Sequence, residues 1–475
     1  MSTPLLINKA QVLAAIETVT GTAETLVAAN GKTRFTAASA VEYNAPREDR
    51  DVARATLSPI GTLESTKGNN YNIESELNTP DSYNLQTSLD ATTCSWQSGA
   101  VSQIDFASTP DLSTVSVGDL IVNRGMTNEV NSGTFIISAV SDGSDYIQFI
   151  NRAKTSATGD EASSPGVSHV LAQQEYGALL HACGTRTTAV VSVAIGSITS
   201  GPFTRGETVT QTTSGATGRV LIQTATGTTP LYLVPTNGIP FTTTLLLTGG
   251  TSGATATTSG NEAIAGYSVT PISSDLETAT ITKEEDGFAW KGRGGMGNAT
   301  ITWESSKKAM ISFAMQTARV SNTTGALTAS VTQYTDQPPI WQNATLTLDS
   351  FTPVVRSAEF DMGNNVALRE NANASGDTGI EAARVTGRLP KLKISLEHDL
   401  AANFDFYTKF DAGTDIVIKF QTGSAAQKTV YFFADQAELS EIPLGDNANI
   451  RMLELVFNLK TSDTNEYKCW EMALL

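Results

Sequence analysis

In several stretches of this 475-residue chain, apolar and polar side chains alternate with a period of two. That is the pattern of strands that bury one face. It is clearest after Tyr267. Leu392, Ile394 and Leu396 alternate with Lys391, Lys393, Ser395 and Glu397; Ile416, Ile418 and Phe420 alternate with Val417 and Lys419; Leu453, Leu455, Phe457 and Leu459 alternate with Glu454, Val456 and Asn458. Nearer the start, Tyr71, Ile73, Ser75 and Leu77 alternate with Asn72, Glu74 and Glu76, which predicts a half-buried strand. The apolar segment Val12 to Ile16, leading to Gly21, fits strand and helix about equally. The tract Pro46 to Asn70 is too charged for a core and reads as an extended arm, with one strand around Arg54 to Ile60.

Two segments have helical spacing instead. In EYGALLHACG, Glu175 to Gly184, the residues Leu179, Leu180 and Cys183 share one face, and Gly184 stands where a C-terminal glycine would end a short helix. The second begins with Asp399 as N-cap, places Leu400, Phe404 and Tyr407 at i, i+4 and i+7, and ends near Gly413. The polar stretch Asn364 to Arg388 has no periodicity and reads as a long loop, of the kind that is functional or orders against a partner.

The character of the chain changes twice, which divides it into a core at 1–90, 173–188 and 264–475 and two β modules at 91–172 and 189–263. In the first module the apolar runs Leu120 to Val122, Phe135 to Val140 and Tyr146 to Ile150 are separated by Asn131-Ser132-Gly133 and Asp142-Gly143-Ser144. These turn signals predict a small antiparallel barrel or sandwich, and its flank Ala157 to Gly166 is linker-like. In the second module TSGAT occurs at Thr213 to Thr217 and again at Thr251 to Thr255. Paired short β units explain this near-repeat, and the apolar runs Leu231 to Val234 and Leu245 to Leu247 argue against a low-complexity stalk. EYGALLHACG lies between the modules as the place where the core surfaces, with its apolar residues buried and separate domains on either side.

Composition agrees with a mainly β chain: 40% apolar, only 17% charged, the rest rich in Thr, Ser, Asn and Gly. The net charge of −17 disfavours nucleic-acid binding through a basic groove. The first module has eight acids against three bases, net −5. The second has Glu207 and Glu262 against Arg205 and Arg219, net zero, which leaves −12 on the core. Neither a signal peptide nor a run of eighteen apolar residues is present, so the chain reads as soluble, made in the cytoplasm and without a membrane partner.

Candidate chemistry fails on context. Gly292 to Gly297, GRGGMG, matches G-x-G-x-x-G, but strand-like flanks make it a β–turn–β hairpin rather than a cofactor loop. Asp142-Gly143-Ser144-Asp145 lacks the remaining ligands of a calcium loop and reads as a turn. The Asn-x-Thr sites at Asn298, Asn322 and Asn343 matter only in a secretory context. His181 and Cys183 fall on different helix faces, with Cys183 a buried structural thiol. Glu284-Glu285-Asp286 reads as a solvated turn. Cys94, Cys183 and Cys469, with His169, His181 and His398, have neither disulfide nor metal spacing. The expectation is no enzyme, with no catalytic, cofactor-binding or metal-binding residue and no cofactor.

Several pieces in order resemble the major tail tube protein of long-tailed, siphovirus-type bacteriophages. They are QVLAAIETVTGT, RATLSPIGT, NIESEL, EYGALLHACG, YSVTPIS, DGFAWKGRGGMGNATITWE and the closing β-rich region with its helix. The resemblance covers about 1–90, 173–188 and 264–475; the two modules have no counterpart in the minimal core and are similar to β modules that decorate virion proteins. It implies a tail-tube β-sandwich or barrel core with one flanking helix, carrying two small inserted β-barrel or sandwich modules that project outward. It further implies a virion protein made in the host cytoplasm, assembling as hexameric rings that stack into a tube. DNA would pass along the lumen without specific binding, and the further partners would be the tape measure protein and the tail terminator and tip proteins. Segments 44–70 and 364–388 would be inter-ring arms; some core acids would face the channel, or else the acids only keep the protein soluble before assembly. The runner-up is a multidomain β adhesin that contacts host surface glycans. A β-rich hydrolase is the third reading, and it lacks an acid/base or nucleophile constellation.

Overall fold

The computed structural model describes residues 9–475 except 32–34, 37–38, 51–60, 79–85, 107–109, 114, 164–165, 173–175, 223–229, 332–336, 343, 375–378 and 424–428. For 86–91 it describes the backbone. The strand expected around Arg54 to Ile60 lies outside the described residues. The chain is mainly β, with two short α-helices among the described residues. No helix among them is long and apolar enough to cross a membrane.

Two sheets share one strand, Phe288–Glu304. Along one edge it pairs with Met310–Thr324, which leads on to Gly68–Glu76 and Ala40–Asn44. Its other edge is divided. The first half pairs with Ala279–Glu285, which carries Ala10–Ile16 outside it, so the ambiguous N-terminal segment is a strand. From Thr300 onward the same edge pairs with Val355–Asp361. That begins the second sheet, which continues through Lys391–Glu397, Ile450–Leu459, Val430–Glu441 and Ile416–Thr422. Glu471–Leu474 ties this sheet to Ala263–Pro271 and Thr185–Val193.

The change of partner falls at Gly292 to Gly297. The register shifts between Lys291 and Gly292 and again between Arg293 and Met296, and Gly294 has φ +60. A Cβ on Gly292 would lie 2.0 Å from Thr317 Oγ1, and one on Gly297 would lie 2.4 Å from the Ala314 carbonyl oxygen. The glycines therefore let a 17-residue strand bulge and bend where two sheets part. They do not form the hairpin turn expected from the sequence. That turn precedes them at Asp286-Gly287, both at positive φ.

Between the sheets lies an aromatic core. Trp303 meets Phe420 edge-on at 4.9 Å, and Phe360 lies 4.9 Å from Phe432 and 5.0 Å from Trp470. Each buried phenyl ring contributes roughly 1.5–3 kcal/mol of transfer free energy. The helix Gly177–Ala182 packs against Ala10–Ile16, Phe288–Glu304 and Thr185–Val193, with Leu179, Leu180 and Cys183 buried and Gly184 at φ +72 ending it. Tyr176 is also buried and donates to the Asn78 carbonyl oxygen at 3.0 Å.

The second helix, Phe406–Ala412, starts later than its sequence pattern suggests. Asp405 caps it, accepting from Thr408 N at 3.0 Å, while Asp399 accepts from Leu400 N in a separate turn. Leu400 is 73% exposed, so the apolar spacing from Leu400 marked no buried face. The stretch Asn364 to Arg388 is not a loop. Asn364–Glu370 and Ile380–Arg388 form a two-stranded hairpin, and the short buried side chains of Ala382 and Ala383 supplied too little pattern to reveal it.

Residues 86–171 close into a six-stranded barrel: Gln86–Ser98, Val101–Phe106, Leu120–Arg124, Gly133–Ser141, Tyr146–Ile150 and Val167–Leu171. Cys94, Ile104, Ile121, Ile137, Phe149 and Val170 fill it. The boundary expected at 90/91 falls inside its first strand. Leu120, Val122, Ile136, Ile150 and Leu171 join the main core cluster, so the barrel is packed on the core rather than tethered beside it. Nor is its flank a linker: Glu161 is buried, and its backbone exchanges two hydrogen bonds with Cys94.

The TSGAT near-repeat corresponds to two similar hairpins, Thr208–Gln211 with Thr217–Val220 and Leu246–Gly249 with Thr255–Thr257. In both, the serine hydroxyl accepts from the backbone N–H of a buried alanine, Ala216 or Ala254, and the glycine is at positive φ. The first strands of the two hairpins pair with each other. The boundary expected at 188/189 falls inside Thr185–Val193, whose far end pairs with Leu231–Pro235, so the core sheet runs into this unit without a break.

Candidate assembly surfaces and the seams that fix them

Three buried polar seams fix how the barrel, the repeat unit and the core sit together. Between barrel and repeat unit, Arg124 donates to both oxygens of Glu262, at 2.9 and 3.1 Å, and to the carbonyl oxygens of Asn237 and Ile239. Between barrel and core, Arg152 donates to Glu277 Oε1 at 3.4 Å and to the Glu17 carbonyl oxygen at 2.8 Å. His181 completes this seam, with Nδ1 2.7 Å from Glu277 Oε2 and Nε2 2.9 Å from Thr187 Oγ1. Burial pushes the Glu277 carboxyl up, but His181 and Arg152 outweigh it and hold it below its ordinary range.

Between repeat unit and core lies the most buried acid of these seams. Glu471, fully inaccessible, accepts two bonds from Arg219 at 2.6 and 2.9 Å, one from Arg205 at 2.8 Å and one from Ser268 at 2.5 Å. Arg205 also bonds Asp435 at 2.9 Å and lies 3.8 Å above the Phe433 ring, and Arg219 lies 3.9 Å above Tyr467. Burial works to raise the Glu471 carboxyl, yet the two guanidiniums bring it to about 2.

These seams use Arg124, Arg152, Arg205 and Arg219, four of the five cations in 91–172 and 189–263. The fifth, Lys154, is itself buried. The outer surface of both units is therefore left with acids and neutral side chains. Such a surface offers nothing to release the counterions of an anionic polymer.

The two outer sheet faces of the core differ. Around Gly68–Glu76, Met310–Thr324 and Phe288–Glu304, a shallow depression is lined by Asn72, Asn298, Thr300, Ser312 and Ala314, with Glu74 as its one charge. Across the second sheet, Glu304, Glu359 and Glu454 interleave with Lys307, Arg356 and Lys393. In the first sheet Ala40–Asn44 is the last strand at one end and Ala10–Ile16 at the other. Among the described residues, neither has a strand on its outer edge.

The hairpin 364–388 is anchored to both segments singled out in the sequence. Arg388 donates to the Gly184 carbonyl oxygen at 2.8 Å, and Asn364 Nδ2 donates to those of Cys183 and Gly297 at 2.7 and 3.0 Å. Arg293, from GRGGMG, donates to the carbonyl oxygens of Glu381 and Ile380 at 3.0 and 3.3 Å.

The remaining candidates fall as follows. Asp142 accepts from Leu112 N in a turn, and Asp145 ends that turn at φ 52. Cys94, Cys183 and Cys469 are all buried, which pushes their thiols up, Cys94 and Cys469 to about 12. Asn298 donates to Asp361, Asn322 exchanges amide bonds with Asn69, and Asn343 lies outside the described residues. Glu284-Glu285-Asp286 is not a solvated turn: Glu284 accepts from Gln11 and Thr328, Glu285 pairs with Lys283, and Asp286 with Lys9. Among the described residues, no group of three or more His, Cys, Asp or Glu is placed to hold a metal ion.

Sequence reasoning missed Glu17. Its buried carboxylate accepts from Gly21 N, Gly294 N, Thr278 Oγ1 and Thr280 Oγ1 at 2.7–2.9 Å, so it holds the bulge in GRGGMG from across the sheet. Glu471 was missed for the same reason: each acid's donors come mostly from residues more than 200 positions away. No protein-family model matches the chain, and no curated protein matches it.

Proposed function

We propose that this chain is a structural virion protein of the tail-tube type, assembling as stacked hexameric rings around a channel for DNA. The observation that carries the reading is the first sheet, which among the described residues is open at both ends, Ala40–Asn44 and Ala10–Ile16. Unpaired edges at opposite ends of one sheet suit a heterologous contact that closes into a ring, with each protomer's edge extending its neighbour's sheet. The face of that sheet lined by Asn72, Asn298, Thr300, Ser312, Ala314 and Glu74 is then the channel wall. Small neutral side chains and Glu74 in the depression, with Glu42 and Glu76 further along the same face, neither grip nor neutralise a duplex that carries about one negative charge per 1.7 Å of axis. The barrel and the repeat unit, locked by their arginines, project away from the channel, and the hairpin 364–388 serves contacts between rings.

Negative-stain imaging of the purified protein tests the reading. Tubes or six-fold rings are the expected outcome; discrete monomers or trimers would overturn it in favour of the adhesin. Assembled tubes should not retain DNA at physiological salt, and tight retention would refute the assignment of the channel face.

A further inference from the structure

One corner of the barrel holds side chains that serve neither the seams nor the outer surfaces. Lys154 is 2% exposed, Asn131 is wholly buried, and Glu161 beside them is 7% exposed. Lys154 Nζ stands 3.0 Å from Asn131 Oδ1, and Asn131 Nδ2 donates to Glu161 Oε1 at 2.6 Å. Asp160 Oδ1 lies 2.8 Å from the same Nζ. The Gly159 carbonyl oxygen accepts from Nδ2 at 2.9 Å and from Nζ at 3.3 Å.

The backbone fixes all three groups. Asn131 closes the 3-10 turn Glu129–Asn131. Lys154 follows the strand Tyr146–Ile150, its N–H bonded to the Asn151 carbonyl oxygen at 3.2 Å. Glu161 is bridged through its backbone to Cys94, and its carboxylate also accepts from Thr127 N and Asn128 N at 3.0 and 3.1 Å.

An amine, a primary carboxamide and a carboxylate held together away from water are the components of a transamidation. We propose that Lys154 and Asn131 condense into an intramolecular isopeptide bond, with Glu161 as the catalytic acid–base. Asp160 accepts a proton from the Lys154 ammonium and frees the Nζ lone pair. Nζ attacks Cγ of Asn131, forming the Nζ–Cγ bond and moving the carbonyl π pair onto Oδ1. Glu161, already on Nδ2, carries the second proton from Nζ to Nδ2. As the carbonyl re-forms, the Cγ–Nδ2 bond breaks with its electron pair on nitrogen. Ammonia leaves and takes the proton held by Asp160. The balance is one ammonium lost for one amide exchanged, with nothing oxidised or reduced and no co-reactant.

Two features drive the step. Fixed neighbours react with effective molarities that reach about 10⁵–10⁸ M, which offsets the low reactivity of a carboxamide. Burial excludes water as the competing nucleophile. Asp160 alone would give Lys154 a counter-ion. The carboxamide and Glu161 add the leaving group and its acid, which a plain ion pair does not need. The product would tie the turn at Asn131 covalently to the segment that carries Lys154.

The intact mass of the purified full-length chain under denaturing conditions tests this without any variant. The expected mass, with or without Met1, is that of the sequence less one ammonia. After tryptic cleavage at Arg124 and Arg152, the peptide holding Asn131 and the one holding Lys154 should remain joined as a branched species. Lys154→Met and Glu161→Gln should both give the full, unlinked mass. A wild-type chain at full sequence mass overturns the proposal, as does an ammonia loss that survives in Lys154→Met. A linked Glu161→Gln chain would refute the role of Glu161.

Discussion

Replacing Glu471 with Gln is the sharpest perturbation of the architecture, because it removes one charge and almost no volume. The carboxylate is fully inaccessible and accepts four hydrogen bonds, three of them from guanidiniums. Arg205 would keep Asp435 and the Leu221 carbonyl oxygen, whereas Arg219 would lose its two charged hydrogen bonds and keep its stacking on Tyr467. Removing one partner of such a buried pair costs about 3–5 kcal/mol, since the other charge stays buried and uncompensated. Linkage leads to a similar magnitude. The carboxyl moves from an ordinary 4.5 to about 2 on folding, a difference worth about 3 kcal/mol by linkage. Because the folded value is the lower one, this stabilisation is fully present above pH 4.5 and is lost as the pH falls from there through about 2. Urea unfolding followed by tryptophan fluorescence should place Glu471→Gln about 3 kcal/mol below wild type at pH 7. The gap should narrow as the pH falls through that window. A variant within about 0.5 kcal/mol of wild type at pH 7 would refute the argument that this seam is held by charge.

Other consequences can be checked directly. Gly294→Ala places a side chain at φ +60 with its Cβ 2.7 Å from Ala382 Cα, so it should lower stability by about 1–2 kcal/mol or more in thermal unfolding. Arg124→Ala should loosen the barrel against the repeat unit while leaving the barrel folded, read as faster amide exchange at Gly125 and Phe241, whose N–H groups donate to the Gly238 carbonyl oxygen and the Glu262 carboxylate at this seam, with barrel-core exchange unchanged. With a net charge of −17 and the cations of both units buried in seams, the protein should pass through a heparin column at physiological salt; retention would point to the exposed core cations, such as Lys307 and Lys393, as an anion-binding face. A thiol reagent should find no reactive cysteine in the native chain and all three after denaturation.

Much of the fold was legible in local pattern. Period-two alternation marked Gly68–Glu76, Lys391–Glu397, Ile416–Thr422 and Ile450–Leu459, because each buries one face against a single core. The apolar face of EYGALLHACG and the TSGAT hairpins were legible for the same reason: their determinants lie within a few residues. Legibility failed where short or glycine side chains replaced that pattern. Asn364 to Arg388 read as a loop because its buried positions are largely alanines, and GRGGMG read as a turn because glycine marks a bulge and a turn alike.

By itself, then, the sequence determined the mainly β class, the places where most strands lie and the acidic balance, all of which follow from local periodicity and composition. The tertiary structure decided what the charges do. Glu17, Glu262, Glu277 and Glu471 look like any other acids in the chain, and the arginines that meet Glu262, Glu277 and Glu471 lie 125 or more positions away. Only folding brings those partners within hydrogen-bond distance and out of water, where an ion pair sets geometry that no local rule contains.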